Sequence, residues 1–324
     1  MAVYTRLTAG ELSEIVGAFD VGALISAKGI AEGVSNSNWL IEAGDAEGTR
    51  RFILTMYEDR TETSDLPFFL GLLDHLAARD CPVPRTIHDA DGRPFRLHEG
   101  KALALIEFLP GVSISDPSPQ QARAVGTALA RVHLAAGDFA LTRSNGLGPA
   151  AWREIIEACA PAALDQFEPG LARRLSAELA HIEENWPASL PRSVIHADLF
   201  PDNVLMLDEQ VSGLIDFYFA CNDVTAFDVA TTHAAWAFSE DGARFDPGVS
   251  QALLEGYEAL RPLSSEERRA MPLLARAAAM RFIATRVYDW LNTPPDALVT
   301  PKDPRAFLRR LAFYSAPENA GIFA

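Results

Sequence analysis

The sequence predicts an α+β protein of two lobes, a small one over residues 1–108 with an antiparallel sheet plus helix, and a large, mainly helical one over residues 109–324. Three observations predict it. Before residue 108, short runs rich in β-branched and aromatic residues alternate with turn-forming stretches. From Ser118 onward, apolar residues recur at helical spacing. Inside that helical half, Val194–Ile195, Val204–Met206 and Val211–Ile215 form short apolar strands set beside carboxylates.

Taken in order, Leu12, Ile15, Val16 and Phe19 predict a helix over 7–19, with Thr8 and Glu11 forming a capping box. Ile25 to Ile41 reads as two strand-like flanks around a turn holding Gly29 and Gly33. Such a turn lets backbone amides approach phosphates, and an ordinary hairpin turn is the alternative. Asn38–Glu42 and Phe52–Tyr57 pair around a turn-rich connection, Ala43–Gly48. A helix over 65–79 follows, with Asp65 as N-cap and Pro67 in its first turn. Pro94–Leu97 and Ala102–Phe108 are strands, the second breaking at Leu109-Pro110-Gly111.

In the second half, Ala122, Val125, Leu129, Val132 and Ala136 mark a long helix, in which His133 reads as a core histidine without chemistry. Gly137–Pro149 is a loop, and Ala151–Ala163 and Gly170–Trp186 are helices. Strand, loop, strand follows from Ser193 to Met206. After Asp216 the chain enters another helix. Near the end, a helix over 272–291 buries Leu273, Ala277, Met280, Ala284, Val287 and Leu291, and carries Arg281 and Arg286 on neighbouring faces.

Composition narrows the function. At 48% apolar residues and a mean hydropathy near zero, the chain suits a soluble globular protein. It has no run of eighteen apolar residues, and Met1–Gly10 lacks the pattern of a signal peptide, so a cytoplasmic location is expected. Cys81, Cys159 and Cys221 are far apart and suggest neither disulfides nor a zinc site. A net charge of −16 argues against nucleic acid and anionic membranes as partners.

The chemistry concentrates in His196-Ala197-Asp198-Leu199-Phe200-Pro201-Asp202-Asn203. His-x-Asp with an Asn five residues after the Asp is the spacing of the phosphotransfer loop in eukaryotic-type kinases. Asp216 ends the next strand, thirteen residues after Asn203. A hairpin between them returns the two strand ends to one place, where Asn203 and Asp216 can share a metal.

These motifs resemble the aminoglycoside phosphotransferase and choline kinase group, and more closely its homoserine kinases. The run Gly29 to Asn38, the form Thr55-Met56-Tyr57-Glu58 and the run Arg281 to Trp290 carry the closer likeness. The resemblance implies a two-lobed protein-kinase-like fold and transfer of the ATP γ-phosphoryl group to L-homoserine, giving O-phospho-L-homoserine on the way to threonine. It assigns Asp198 to the acceptor hydroxyl, His196 to fixing the loop, and Asn203 and Asp216 to Mg²⁺. Lys28, Gly29, Gly33, Ser35 and Asn36 become the phosphate-covering turn, and Glu107 and Leu109 the hinge whose backbone reads adenine. Arg281 or Arg286 would hold the substrate carboxylate, a structural Arg–Asp pair being the alternative for each. Asp228 resembles the aspartate that receives catalytic-loop amides, and it equally fits a helix N-cap.

One departure from the wider kinase pattern stands out. Thr55 occupies the place of the lysine that grips ATP phosphates, and the chain's three lysines, Lys28, Lys101 and Lys302, all lie elsewhere. Lys28, Arg51 or Arg60 are the candidate substitutes. The helix over 65–79 also lacks the glutamate that such a lysine pairs with. Two other readings therefore stay open, a kinase of the same fold for another hydroxyl compound and a non-catalytic nucleotide-binding relative.

Overall fold

The computed structural model describes residues 5–30, 36–46, 48–58, 62–294 and 300–323. Helix α1 (Ala9–Gly17) starts at the expected capping box, Thr8 with Glu11. Strands β1 (Ala23–Ile30), β2 (Ser37–Asp45) and β3 (Gly48–Met56) follow, then α2 (Leu66–Ala77), β4 (Thr86–Ile87), β5 (Arg96–His98) and β6 (Lys101–Glu107). They make one antiparallel sheet in the order β1-β2-β3-β6-β4, with β5 on β6.

Alternation assigns the two faces of this sheet. Trp39, Ile41, Phe52, Leu54, Met56, Leu103 and Leu105 pack on Leu12, Ile15 and Val16 of α1. The opposite face presents Tyr57, Ala102, Ala104 and Ile106, which join α2 in the main core of the molecule. That second face is the one turned toward the helical half, and it positions the site described below.

The larger half contains α3 (Pro119–Ala135), α4 (Pro149–Ala158), α5 (Pro161–Leu164), α6 (Leu171–Glu184), β7 (Arg192–Ile195), β8 (Val204–Leu207), β9 (Gln210–Leu214), β10 (Cys221–Val224), α7 (Thr225–Trp236), α8 (Pro247–Glu258), α9 (Ser265–Asn292) and α10 (Arg305–Ser315). Strand β7 pairs with β10, and β8 with β9, forming two small antiparallel ribbons. Val112, just past the end of β6, bridges to Met206 on β8 and so joins the two halves. Among the described residues, no helix is long and apolar enough to cross a membrane.

Several elements differ from expectation. The β2–β3 connection is shorter than Ala43–Gly48, because pairing continues from Ala43 and Arg50 out to Asp45 and Gly48. Asp65 stands at the N-cap position of α2 without capping it, since its carboxylate is claimed by Arg143 Nε at 2.7 Å. Helix α9 begins at Ser265, ahead of Pro272, because Ser264 and Glu267 form a capping box and the helix carries Pro272 in its interior. Asp228 lies inside α7, whose N-cap position is Val224, which removes the N-cap reading.

Candidate active site

Strands β7 and β8 hold the loop between them at both ends, and its backbone is fixed from behind. The Asp228 carboxylate, fully buried, accepts the backbone N–H groups of His196 and Ala197, each at 2.7 Å. His133 contacts the same carboxylate through Nε2 at 3.0 Å and is itself held by the Tyr257 hydroxyl at 2.8 Å. Despite burial, these contacts hold the Asp228 carboxyl below its usual range, His133 contributing most. The amide pair also supports Ala197 at φ +66°, a left-handed conformation that a non-glycine residue adopts at a cost.

His196 is buried beside Phe217 and ties this loop to the next one. Its Nδ1 accepts the Asp198 N–H at 3.2 Å, so Nε2 carries the proton donated to the Ile215 carbonyl at 3.0 Å. Burial pushes the imidazole below its ordinary value, in keeping with that neutral tautomer. Ile215 N–H in turn donates to the Asn203 carbonyl at 3.0 Å. The two strand ends expected to meet therefore do meet.

Asn203 donates its amide nitrogen to the Asp198 carbonyl at 2.8 Å and to the Asp198 carboxylate at 3.3 Å. Its amide oxygen is left as the atom suited to a cation. Asp216 sits in a left-handed conformation, φ 63° and ψ 56°, at the start of a tight turn over Phe217–Phe219. Its carboxyl opens to the cleft yet is crowded by protein. It is pushed up to about 7 by loss of surrounding water, then by repulsion from Asp198 and Asp202. A carboxylate in the field of two others, on a strand end tied to Asn203, can serve a hard divalent cation, and a bound cation would relieve that repulsion.

Arg281 on α9 lies against the same loop. Its guanidinium is 3% exposed, packs over Phe219 and Phe282, and brings Nη2 to 3.7 Å from an Asp198 carboxylate oxygen. Nη1 is buried with no hydrogen-bond partner. Asp198 itself is raised above its ordinary value by burial, an effect that Arg281 opposes. Arg286, one turn further on, stacks over Phe307 and donates to the Asp303 carbonyl at 3.4 Å. Lys302 reaches the catalytic loop too, 3.2 Å from Asp202.

The nucleotide-side residues divide. Lys28 and Gly29 belong to β1, opposite Leu40 and Trp39, so they lie in the strand leading to the turn and outside the turn itself. Gly33, Ser35 and Arg60 fall outside the described residues. Asn36 is buried, and its side-chain oxygen accepts the Glu58 N–H at 3.3 Å. Lys28 and Arg51 share the sheet face of Thr55, because Lys28 opposes Leu40, which opposes Ile53. Arg51 is paired with Glu42 at 3.5 Å and stacks on Phe108, at the far end of that face. Lys101 is committed to Glu58. Glu107 and Leu109 flank the crossing point, with Glu107 ending β6 and Leu109 lying against Gly213 of β9.

Sequence reasoning gave His133 no role and passed over Tyr57, Tyr218, Asp202 and Lys302. A histidine on a helix and two tyrosines near strand ends carry no local pattern that marks them. Their partners lie far away along the chain.

Comparison with known proteins accords with this geometry. The model of the phosphotransferase enzyme family matches residues 26–263. A homoserine kinase of Azorhizobium caulinodans is 49% identical over 320 residues, covering 99% of this chain and 98% of that protein. One of Mesorhizobium japonicum is 47% identical over 325 residues, covering 100% and 99%. A solved amicoumacin kinase, in complex with AMP-PNP, Ca²⁺ and Ami, superposes with a TM-score of 0.71 at 14% identity over 94% of this chain and 92% of that one, which bears out the two-lobed kinase-like fold. The chain belongs to the phosphotransferase enzyme family, in its homoserine kinase branch.

Proposed function

We propose that this chain is an ATP:L-homoserine O-phosphotransferase that works with Mg²⁺. The observation that carries the acceptor is Arg281. A buried guanidinium with one nitrogen unpaired, 3.7 Å from Asp198, is a cation kept for an anionic oxygen beside the group that meets the acceptor hydroxyl. An amino-acid hydroxyl compound brings a carboxylate to that position. A cationic sugar or choline brings none.

In this reading, Asp198 accepts a hydrogen bond from the acceptor hydroxyl, aims its oxygen at the γ-phosphorus and takes the proton late in transfer. His196, neutral and held at both nitrogens, keeps the loop in register. Asn203 and Asp216 hold the divalent cation, which when bound supplies positive charge against the phosphate oxygens. Arg281 holds the acceptor carboxylate, and Arg286, pushed down to about 10 by burial and still charged at neutral pH, adds positive charge facing Asp198 and Asp202. Lys28 stands in for the missing lysine, because it is a cation on the cleft face of the sheet without an ion pair to another described residue. Gly29, Gly33, Ser35 and Asn36 bind the ATP phosphates, and the backbone of Glu107 and Leu109 reads adenine where the lobes join, between residues 108 and 109.

The test is Arg281→Ala assayed with L-homoserine and with 3-amino-1-propanol, the same hydroxyl compound without its carboxylate. Wild type should prefer L-homoserine, and the variant should lose about 2–4 kcal/mol of that preference with the KM for ATP unchanged. An undiminished preference would remove Arg281 from the acceptor site.

A further inference from the structure

Thr55 raises the question of what does the work of the absent lysine–glutamate pair. In kinases that pair joins the third strand of the small lobe to its helix and must be in place for the metal aspartate to function. Here the space between β3, α2 and the Asp216 turn is filled by neutral groups. We infer that Tyr218 is a positioning residue, and that its hydroxyl, paired with that of Tyr57 just past the end of β3, locks the Asp216 turn onto the sheet.

Thr55, 2% exposed, donates its hydroxyl to Asn38 Oδ1 at 2.8 Å, across the β2–β3 pairing. The Tyr218 oxygen is 3.3 Å from that of Tyr57, a hydrogen bond between the two phenols. The two phenols thus meet at the sheet without a charge.

Tyr218 grips the metal side as well. It lies two residues after Asp216, in the tight turn Phe217–Phe219 that Asp216 opens. Its ring sits edge-on to Tyr57 at 5.5 Å and to Phe69 of α2 at 5.8 Å. Phe69 in turn lies under Arg143, which is paired with Asp65 at the start of α2. One residue therefore connects β3, α2 and the Asp216 turn. The left-handed backbone of Asp216 gives this connection a purpose, since a strained turn keeps its shape only when its surroundings hold it.

The inference rests on the reading of Asp216 as a metal ligand, and its test is separable from the identity of the acceptor. Equilibrium Mn²⁺ binding in the presence of ADP, followed by electron paramagnetic resonance, would be measured for wild type, Tyr218→Phe, Tyr57→Phe and the double variant, beside turnover and thermal denaturation. The Phe variants keep the ring packing and remove only the hydroxyls. Tyr218→Phe should bind Mn²⁺ and turn over about tenfold more weakly, with acceptor KM and melting temperature little changed. The double variant should be no worse than Tyr218→Phe, because both hydroxyls act as one pair. Mn²⁺ affinity and turnover within about twofold of wild type in Tyr218→Phe would overturn the proposal and leave the rings as packing alone. Should wild type bind Mn²⁺ and ADP but ignore L-homoserine, the acceptor reading fails and the Mn²⁺ measurement still decides this one.

Discussion

At the scale of single residues, the proposed site places Asp216 where loss of surrounding water and the charges of Asp198 and Asp202 penalise its ionised form, a penalty that a bound cation would relieve. Asp216 titrates near 7 in the folded chain against an ordinary value of 3.8. A carboxyl raised in this way contributes stability that is complete below the unfolded value and is lost as pH rises through the folded one. Metal-free wild type should therefore lose stability relative to Asp216→Asn between about pH 4 and about pH 7. Melting curves in chelator should show the variant gaining on wild type across that window, and Mg²⁺ should close the gap. A gap that does not vary with pH would contradict the crowding of carboxylates. Asp198→Asn keeps the shape of the loop and removes the proton acceptor, so turnover should fall on the order of a thousandfold while the melting temperature barely moves. Near-normal turnover would take Asp198 out of the role. These two residues were legible in the sequence because His196, Asp198, Asn203 and Asp216 lie within one strand-loop-strand unit and its neighbour, at spacings that a hairpin converts directly into proximity.

At the scale of elements, legibility depended on whether a residue's partner was local. The capping box of α1 was readable because Thr8 and Glu11 are neighbours on one turn. The cap at Asp65 was misread because Arg143, 78 residues away, takes its carboxylate. The hydroxyl pair of Tyr57 and Tyr218 spans 161 residues and could not be read at all. Helices α3 and α8 show a further tertiary dependence. A side chain at Gly126 would meet the Leu253 carbonyl at 2.0 Å, and one at Gly256 would meet the Arg123 carbonyl at 2.1 Å. The two helices approach backbone to backbone through reciprocal glycines, and α3 carries His133, which supports Asp228 from behind. Gly126→Ala should lower stability by about 1–3 kcal/mol in denaturant unfolding and reduce turnover with it. A wild-type midpoint would mean that the helices can separate without consequence.

At the scale of the whole molecule, the two lobes share one core. The sheet face carrying Tyr57, Ala102, Ala104 and Ile106 is continuous with the core of the helical half, so the two lobes are built on a common support. The fold class was readable from the switch between strand-like and helical periodicity near residue 108. The acceptor was legible only by likeness, because hydroxyl compounds of many kinds fit the same phosphotransfer loop, and the position of Arg281 beside Asp198, on which the proposed acceptor rests, arises from tertiary packing of α9. The central claim is transfer of a phosphoryl group from ATP to an amino-acid hydroxyl. It is tested most directly by ADP release from Mg-ATP by the purified protein against L-homoserine, L-serine, L-threonine, hydroxylysine, choline, methylthioribose and kanamycin. Strong release with L-homoserine and background release with the others is the result expected; preferred turnover of choline or kanamycin, or silence with every acceptor while ATP is still bound, would contradict it.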